Sequence, residues 1–426
     1  MESTKDFRVA IVGGGMCGIA CAVGLAAKGI RADVFEAAPA FGAVGAGVGL
    51  GPNAIRALEG LGVLEAVMGK SDTKEPTLRS FIFVSGPGQH EVIYDYSKYF
   101  GQYGLGIYRP AFLEALLPLL DPRHLHLNKK CTLVTSLASG SYKLHFEDGS
   151  THETELVIGA DGVKSNIRRS LVGNSPSNNL VFANTVAYRG LVPHSTLVKA
   201  GITTNVNGMP LCWMGRDKHI ITFPLSGTDK INVVLFASNY SQPMSPPREG
   251  PWVENVPRSE MATTYEDMGG DAKIIIGHLD GTSKWYIHSV NPLLTSYVSG
   301  RIVLVGDAAH AMQPHLGAGV GQGFEDVYVL FRLLAHPSTQ RSNLDASSTQ
   351  TTLSVYDKLR PRRANMVLEA SARAGRIFDG FGKPGCDAEW ARRELAGIWE
   401  PVWNHDLKQE VDEELTKLDK KHTANL

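Results

Sequence analysis

The apolar positions of this chain alternate between two periods. Arg8–Val12 is a short apolar run of strand length, Met16–Lys28 repeats apolar residues at helical spacing, and Arg31–Phe35 is a second short strand. Together they predict a βαβ unit. Helical patterns follow at Asn53–Leu64 and Pro110–Leu120, then strands at Tyr142–Phe146 and Leu156–Ile158, with Glu147-Asp148-Gly149 as a hairpin-type turn between them. Between about Leu180 and Trp285 helical periodicity gives way to strand-like pieces, Asn184–Leu191, His219–Pro224 and Ile231–Ala237, which predicts a separate sheet. Tyr240–Asn255 reads as a Pro/Ser/Gly-rich surface loop and Ser338–Thr351 as a polar connection. Arg301–Val305 is a strand, Gly321–Leu334 a helix, and Thr352–Phe378 and Glu389–Leu418 are largely helical. The expected class is α/β, with a Rossmann-type βαβ domain, a second domain made mostly of sheet, and a helical C-terminus.

Composition narrows the partner. The 426 residues, 43% of them apolar, suffice for a folded enzyme, and 42 Lys plus Arg against 43 Asp plus Glu leave no net field to draw nucleic acid or an anionic membrane. A small molecule is the expected ligand. Five cysteines, Cys17, Cys21, Cys131, Cys212 and Cys386, show no CxxC or Cys/His spacing, so neither a disulfide framework nor a metal site is expected. The polar Met1–Phe7 segment lacks the pattern of a secretory signal and no run of about 18 apolar residues appears, which predicts a cytoplasmic protein without a membrane span.

Chemistry enters at the first strand–helix junction. Gly13-Gly14-Gly15-Met16-Cys17-Gly18 is a GxGxxG turn. Gly13 allows the turn, Gly15 lets a pyrophosphate approach the backbone, Gly18 permits close helix–strand packing, and the helix N-terminus faces the phosphate charge. Glu36 ends the second strand, where a carboxylate accepts from an adenosine ribose. This unit alone does not choose between FAD and NAD. Leu156-Val157-Ile158-Gly159-Ala160-Asp161-Gly162, with Ser165 and Arg168 beyond it, is a second apolar strand entering a Gly/Asp turn. Arg301–Val305 with Gly306-Asp307-Ala308-Ala309-His310 repeats that logic, and Asp307 is placed either to bind ribityl hydroxyls or simply to cap the next helix.

These three segments, in this order, resemble the dinucleotide, DG and GD fingerprints of the group A flavoprotein aromatic monooxygenases, the p-hydroxybenzoate hydroxylase fold. Tyr108-Arg109-Pro110 with Leu113 resembles that family's flavin-contacting Arg segment. The resemblance implies FAD, with Glu36 on the adenosine ribose, Arg109 on the flavin side, Asp161 near the pyrophosphate with a role in NAD(P)H use, and Asp307 on the ribityl chain. It implies further cofactor contacts at Gly13, Gly15, Met16, Cys17, Gly18, Ala37, Gly47, Gly49, Val134, Gly317, Gly319 and Val320. It also implies a discontinuous FAD-binding domain of residues 1–75, 104–178 and 286–360, a substrate-binding sheet domain of 76–103 and 179–285, and a helical region of 361–426.

A finer set is similar to the salicylate hydroxylases within that family: Glu36–Gly42, Gly45-Ala46-Gly47-Val48, Gly51-Pro52-Asn53-Ala54, Ala187-Tyr188-Arg189-Gly190, Pro314–Gly319, Gly321-Gln322-Gly323 and Trp403-Asn404-His405-Asp406. Leu316 and Val320 depart from the bacterial pattern. The implied reaction takes NADH or NADPH, O2 and a small phenolic acid, and proceeds through a flavin C4a-hydroperoxide. Ionising the phenol makes its ortho carbon nucleophilic, that carbon bears the carboxylate, and hydroxylation there with loss of CO2 gives a catechol. Hydroxylation of another phenolic acid, such as a hydroxybenzoate, is the neighbouring alternative, and a flavin oxidase or dehydrogenase without hydroxylation is the alternative of another class.

Such a site needs a proton acceptor and a cation. His315, after Pro314, is the candidate relay, a structural imidazole being the competing reading. Arg189 is the candidate cation, a salt-bridged sheet residue the competing one. Phe223 stands where fungal relatives often carry Tyr, and is expected to pack against the ring. The Gly317–Gly323 stretch before its helix can face the flavin N1/O2 edge. His219 reads as structural or exposed, and Arg360, Arg362 and Arg363 as partners in local ion pairs. A homodimer through the C-terminal helices is the expected assembly.

Overall fold

The computed structural model describes residues 7–42, 47–71, 77–78, 81–98, 103–173, 178–225, 228–337, 339 and 346–424. Gly45 and Ala46 therefore lie outside the described residues. The strands that position the site are, in chain order, β1 (Val9–Val12), β2 (Ala32–Phe35), β3 (Gly47–Leu50), β4 (Ile82–Ser85), β5 (Tyr103–Tyr108), β6 (Leu156–Gly159), β7 (Leu180–Pro193), β8 (Leu211–Gly215), β9 (Lys218–Leu225), β10 (Lys230–Ser238), β11 (Asp280–Val290) and β12 (Ile302–Leu304). The helices are α1 (Met16–Ala26), α2 (Pro52–Gly60), α3 (Arg109–Leu116), α4 (Arg258–Thr264), α5 (Gly270–Gly277), α6 (Gly319–Leu334), α7 (Ala346–Phe378), α8 (Ala388–Leu395) and α9 (Leu407–Ala424).

The α/β expectation holds. β1 pairs in parallel with β2 and β6, and β6 with β12, in a six-stranded sheet. Their apolar runs are buried along their whole length at Val9–Val12 and Leu156–Gly159, as parallel strands covered on both faces require. Helix α1 is buried almost all round because it lies between this sheet and α6, whose Gly323 brings the two helices together. The second sheet has eight strands and is mostly antiparallel, with β11, β7, β10, β9, β8 and β4 as successive neighbours.

Several elements differ from their expectation. The turn at 147–149 joins Tyr142–Phe146 to Thr151–Thr154, and Leu156 then starts β6 in the other sheet. The Tyr240–Asn255 loop ends in a short edge strand, Val253–Asn255, paired with β11. Helices α4 and α5 interrupt the stretch read as sheet; at 7 and 8 residues they carry too few turns to show a periodicity. In Ser338–Thr351, residues 346–351 are the first turns of α7, while 338 and 340–345 lie outside the described residues. Glu389–Leu418 is three helices, α8, Glu400–Trp403 and α9, divided where Gly397 takes a positive φ of 73° and Pro401 opens the next turn.

Candidate active site

The glycine turn is shaped by contact. Gly13 has φ 109°, and a methyl there would lie 2.3 Å from the Ala160 carbonyl oxygen. A methyl on Gly18 would lie 2.0 Å from the Gly13 carbonyl oxygen. Gly18→Ala is therefore expected to push α1 off β1 and abolish FAD retention, measured as loss of flavin absorbance from the purified protein; a variant that keeps a full complement of FAD would contradict this packing. Gly15 precedes α1, which has no side-chain cap and no acidic residue in its first turn, so its leading N–H groups are left for an anion. A methyl on Gly15 would be 3.6 Å from Arg109 Nη2, so the exposed guanidinium at the head of α3 stands over the same turn.

Glu36 accepts from the Gly14 N–H at 2.7 Å and the Ala38 N–H at 2.8 Å, which fixes the carboxylate beside the turn. Ala37 is exposed next to it. Met16 is buried, and Cys17 lies against Gly306 and Gly323, with burial pushing its thiol up, so both act as packing residues at the floor of the turn. Val134 is half-buried on the strand Cys131–Ser136 and packs on the main core.

The second and third motifs are bound to each other. Asp161 turns both oxygens to its own loop, accepting from the Ser165 hydroxyl and from the N–H groups of Asn166 at 2.7 Å and Ile167 at 3.1 Å; burial nevertheless pushes its carboxyl up. The fully buried Arg168 donates to the carbonyls of Val163, Asn178, Asp307 and Ala308, so it ties the loop after β6 to the loop after β12, and burial lowers it to about 10. Asp307, by contrast, is exposed to solvent although protein packs around it. That surrounding mass pushes its carboxyl up, against the attraction of His310, Arg109 and Arg168. A methyl on Gly319 would come 3.9 Å from Asp307 Oδ1, which sets this carboxylate at the uncapped N-terminus of α6. Gly317, at φ 61°, and Gly49 have open space where a side chain would stand, while Val320 packs on the core and a methyl on Gly47 would meet Leu225 at 3.8 Å.

A free helix end, a fixed carboxylate at β2, an overlying guanidinium and an open carboxylate beside a second helix end suit a long diphosphate-bridged cofactor, and fit FAD. Beneath them lies a buried network that the sequence reading took for local pairs. Arg360 on α7 donates to Asp326 at 2.7 Å and Glu325 at 2.9 Å on α6, Arg363 bonds Glu325 at 3.2 Å, and Asp326 also holds the Gly306 N–H and His310.

Register defines the substrate side. Arg189 on β7 faces Val234 on β10, Val234 faces Ile221 on β9, and Ile221 faces Cys212 on β8. Cross-strand partners point to one face, so this row is joined by Phe223 opposite Asn232 and by His219 opposite Phe236. On the other face Tyr188, Ile220, Leu235 and Trp213 are fully buried in the core that includes residues of α4 and α5. Arg189, Val234, Ile221, Phe223 and Asn232 are only half-buried, as residues lining a space should be. Burial lowers the Arg189 guanidinium, its Nε has no hydrogen-bond partner, and no carboxylate among the described residues pairs with it; Trp285 lies 5.1 Å from it. A partly desolvated cation without a carboxylate beside it is a costly arrangement unless an anion completes it.

Pro314 accepts from the Gly317 N–H, and the loop is held by Ser371, which donates to the Gln313 carbonyl, and by the Trp399 indole, which donates to Leu316. His315 is buried under α7, where Gly375 leaves room for its ring. Its Nε2 donates to Gln313 Oε1 at 3.2 Å and its Nδ1 has no partner; burial, then His219, lowers its pKa to about 3. Its ring lies 5.2 Å from that of His219 and 5.1 Å from that of Phe236. His219 is wholly buried, not exposed, and bonds Asp379 at 2.6 Å; Asp379 in turn accepts from Tyr240 at 2.6 Å. No cluster able to hold a metal occurs among the described residues, and no helix among them is long and apolar enough to cross a membrane.

The FAD binding domain family model matches residues 138–371. A salicylate hydroxylase of Pseudomonas putida is 36% identical over 99% of this chain and 98% of its own length. A 6-methylsalicylate 1-monooxygenase of Aspergillus terreus is 32% identical over 95% of this chain and 89% of its own. Among solved structures, a salicylate hydroxylase substrate complex superposes with a TM-score of 0.82 at 30% identity, covering 96% of this chain and 98% of that one.

Proposed function

The chain belongs to the FAD-dependent aromatic monooxygenases of the salicylate hydroxylase type, and from that premise we propose that it hydroxylates salicylate or a close analogue at the carbon bearing the carboxylate, releasing CO2 and forming catechol at the expense of NADH or NADPH and O2. FAD is its cofactor, and when bound and reduced it supplies the activation of O2. The chain supplies position and charge. Residues 1–75, 104–178 and 286–360 carry the cofactor on this reading, and 76–103 with 179–285 cover the substrate.

The observation that carries the proposal is Arg189, a half-buried cation with no carboxylate partner among the described residues, on the sheet face that also bears Phe223 and His219. A carboxylate docked there completes the charge pair. Phe223 supplies an apolar surface for the ring, and His315, neutral because burial holds its pKa low, offers a bare Nδ1 to an ortho hydroxyl. Holding carboxylate and hydroxyl at two fixed points selects a 2-hydroxybenzoate over isomers that satisfy only one. The test is anaerobic reduction of the FAD-loaded protein by NADH in stopped flow. Salicylate should accelerate flavin reduction at least tenfold, and 4-hydroxybenzoate should not; equal rates with and without salicylate would contradict the proposal.

A further inference from the structure

Two adjacent buried imidazoles each present a nitrogen with no partner. His219 Nδ1 is engaged by Asp379, which leaves Nε2 bare; His315 Nε2 is engaged by Gln313, which leaves Nδ1 bare. The rings are 5.2 Å apart, at 0% and 7% exposure, so bulk solvent reaches neither ring freely. Buried polar atoms are rarely left without partners, and two neighbouring imidazoles that each keep one nitrogen unbonded among the described residues mark a place where a donor is missing. Asp379 explains which ring takes the proton. Its Oδ1 holds the His219 Nδ1–H and its Oδ2 accepts from the Tyr240 hydroxyl at 2.6 Å; burial raises the carboxyl, but the pull of His219 and these bonds outweigh that and keep it below the ordinary carboxylate range. No such carboxylate bonds His315.

We propose that the His219–Asp379 pair, braced by Tyr240, is the acceptor of the substrate's phenolic proton, taken up through the bare nitrogens it shares with His315. The proposal deepens the salicylate reading and rests on it. The phenol O–H bond breaks, an N–H bond forms at the imidazole pair, and the resulting imidazolium is neutralised by Asp379 while the phenolate stays in the pocket; the proton returns to the catecholate product, so no external base is consumed. The titratable groups around the pair are Asp379 and Arg376 from α7, His315, Tyr240, Tyr265 and Cys212. Asp379 acts only through His219 and is a positioning residue.

The test titrates 5-nitrosalicylate, whose phenolate is coloured, bound to the FAD-loaded protein. In the wild type the bound ligand should ionise at a lower pH than in solution. Asp379→Asn and His219→Gln should raise that midpoint by one pH unit or more, a tenfold change, and Tyr240→Phe should raise it by less, with FAD retained in each. If Asp379→Asn fails to fold, the shifts in His219→Gln and Tyr240→Phe decide. Midpoints equal to the wild type in the folded variants overturn the relay while leaving the salicylate reading intact. Failure of the wild type to bind the ligand at all overturns that reading and the relay with it.

Discussion

Replacing Arg189 by methionine is expected to weaken salicylate binding by roughly 2–4 kcal/mol, about thirty- to a thousandfold in Kd, while FAD stays bound. The side chain is half-buried, its Nε is unbonded and no carboxylate among the described residues pairs with it, so its contribution appears when an anion arrives. The same substitution should leave the free protein at least as stable, since a side chain of similar length without charge removes a desolvation cost that no carboxylate among the described residues offsets. Titration by flavin absorbance and a thermal melt measure the two effects. Weak binding with an unchanged or higher Tm is the expected pair; unchanged Kd removes Arg189 from the site, and a large drop in Tm assigns it to the fold.

Arg360→Met should have the opposite profile. It takes one of two arginines from Glu325 and the only arginine bonded to it from Asp326, both buried in the middle of the helix whose N-terminus meets Asp307, leaving them Arg363 and His310. Breaking a buried pair by removing one partner costs about 3–5 kcal/mol, enough to lower Tm sharply and loosen FAD. Burial pushes both carboxyls up, but Arg360 and Arg363 at Glu325, and His310 and Arg360 at Asp326, outweigh it, so both titrate below ordinary carboxylates. Their stabilisation is thus present above the unfolded value of about 4 and is lost as pH falls through their lower folded values, which predicts a steep loss of wild-type stability in acid. Denaturation at pH 7 and at pH 3 checks both. A variant as stable as the wild type at pH 7 would mean that the two carboxylates find other partners.

The cofactor half of the site was legible because each part is local. Gly13, Gly15 and Gly18 lie in one turn, Glu36 closes one βαβ unit, and Asp307 follows its strand after one glycine, so spacing alone carries the geometry. The substrate half is assembled by register. Arg189 could be named but not given neighbours, because Val234 and Ile221 reach it only through β10 and β9. For His219 the sequence leaves structural and exposed open, because its partner Asp379 is 160 residues away and Tyr240 reaches Asp379 across 139, separations that leave no pattern in the chain. Arg360 was assigned to neighbours on its own helix, whereas its partners sit 34 and 35 residues earlier on α6. Long helices and buried strands declare themselves by period; short helices such as α4 and α5, and ion pairs between elements, do not.

The most direct measurement is the product balance of aerobic turnover with salicylate: NADH consumed, CO2 trapped and aromatic product identified in one reaction of the FAD-loaded protein. Catechol and CO2 in amounts equal to the NADH oxidised is the predicted result; NADH oxidation that yields only hydrogen peroxide, or a hydroxylated product that keeps its carboxylate, would contradict it.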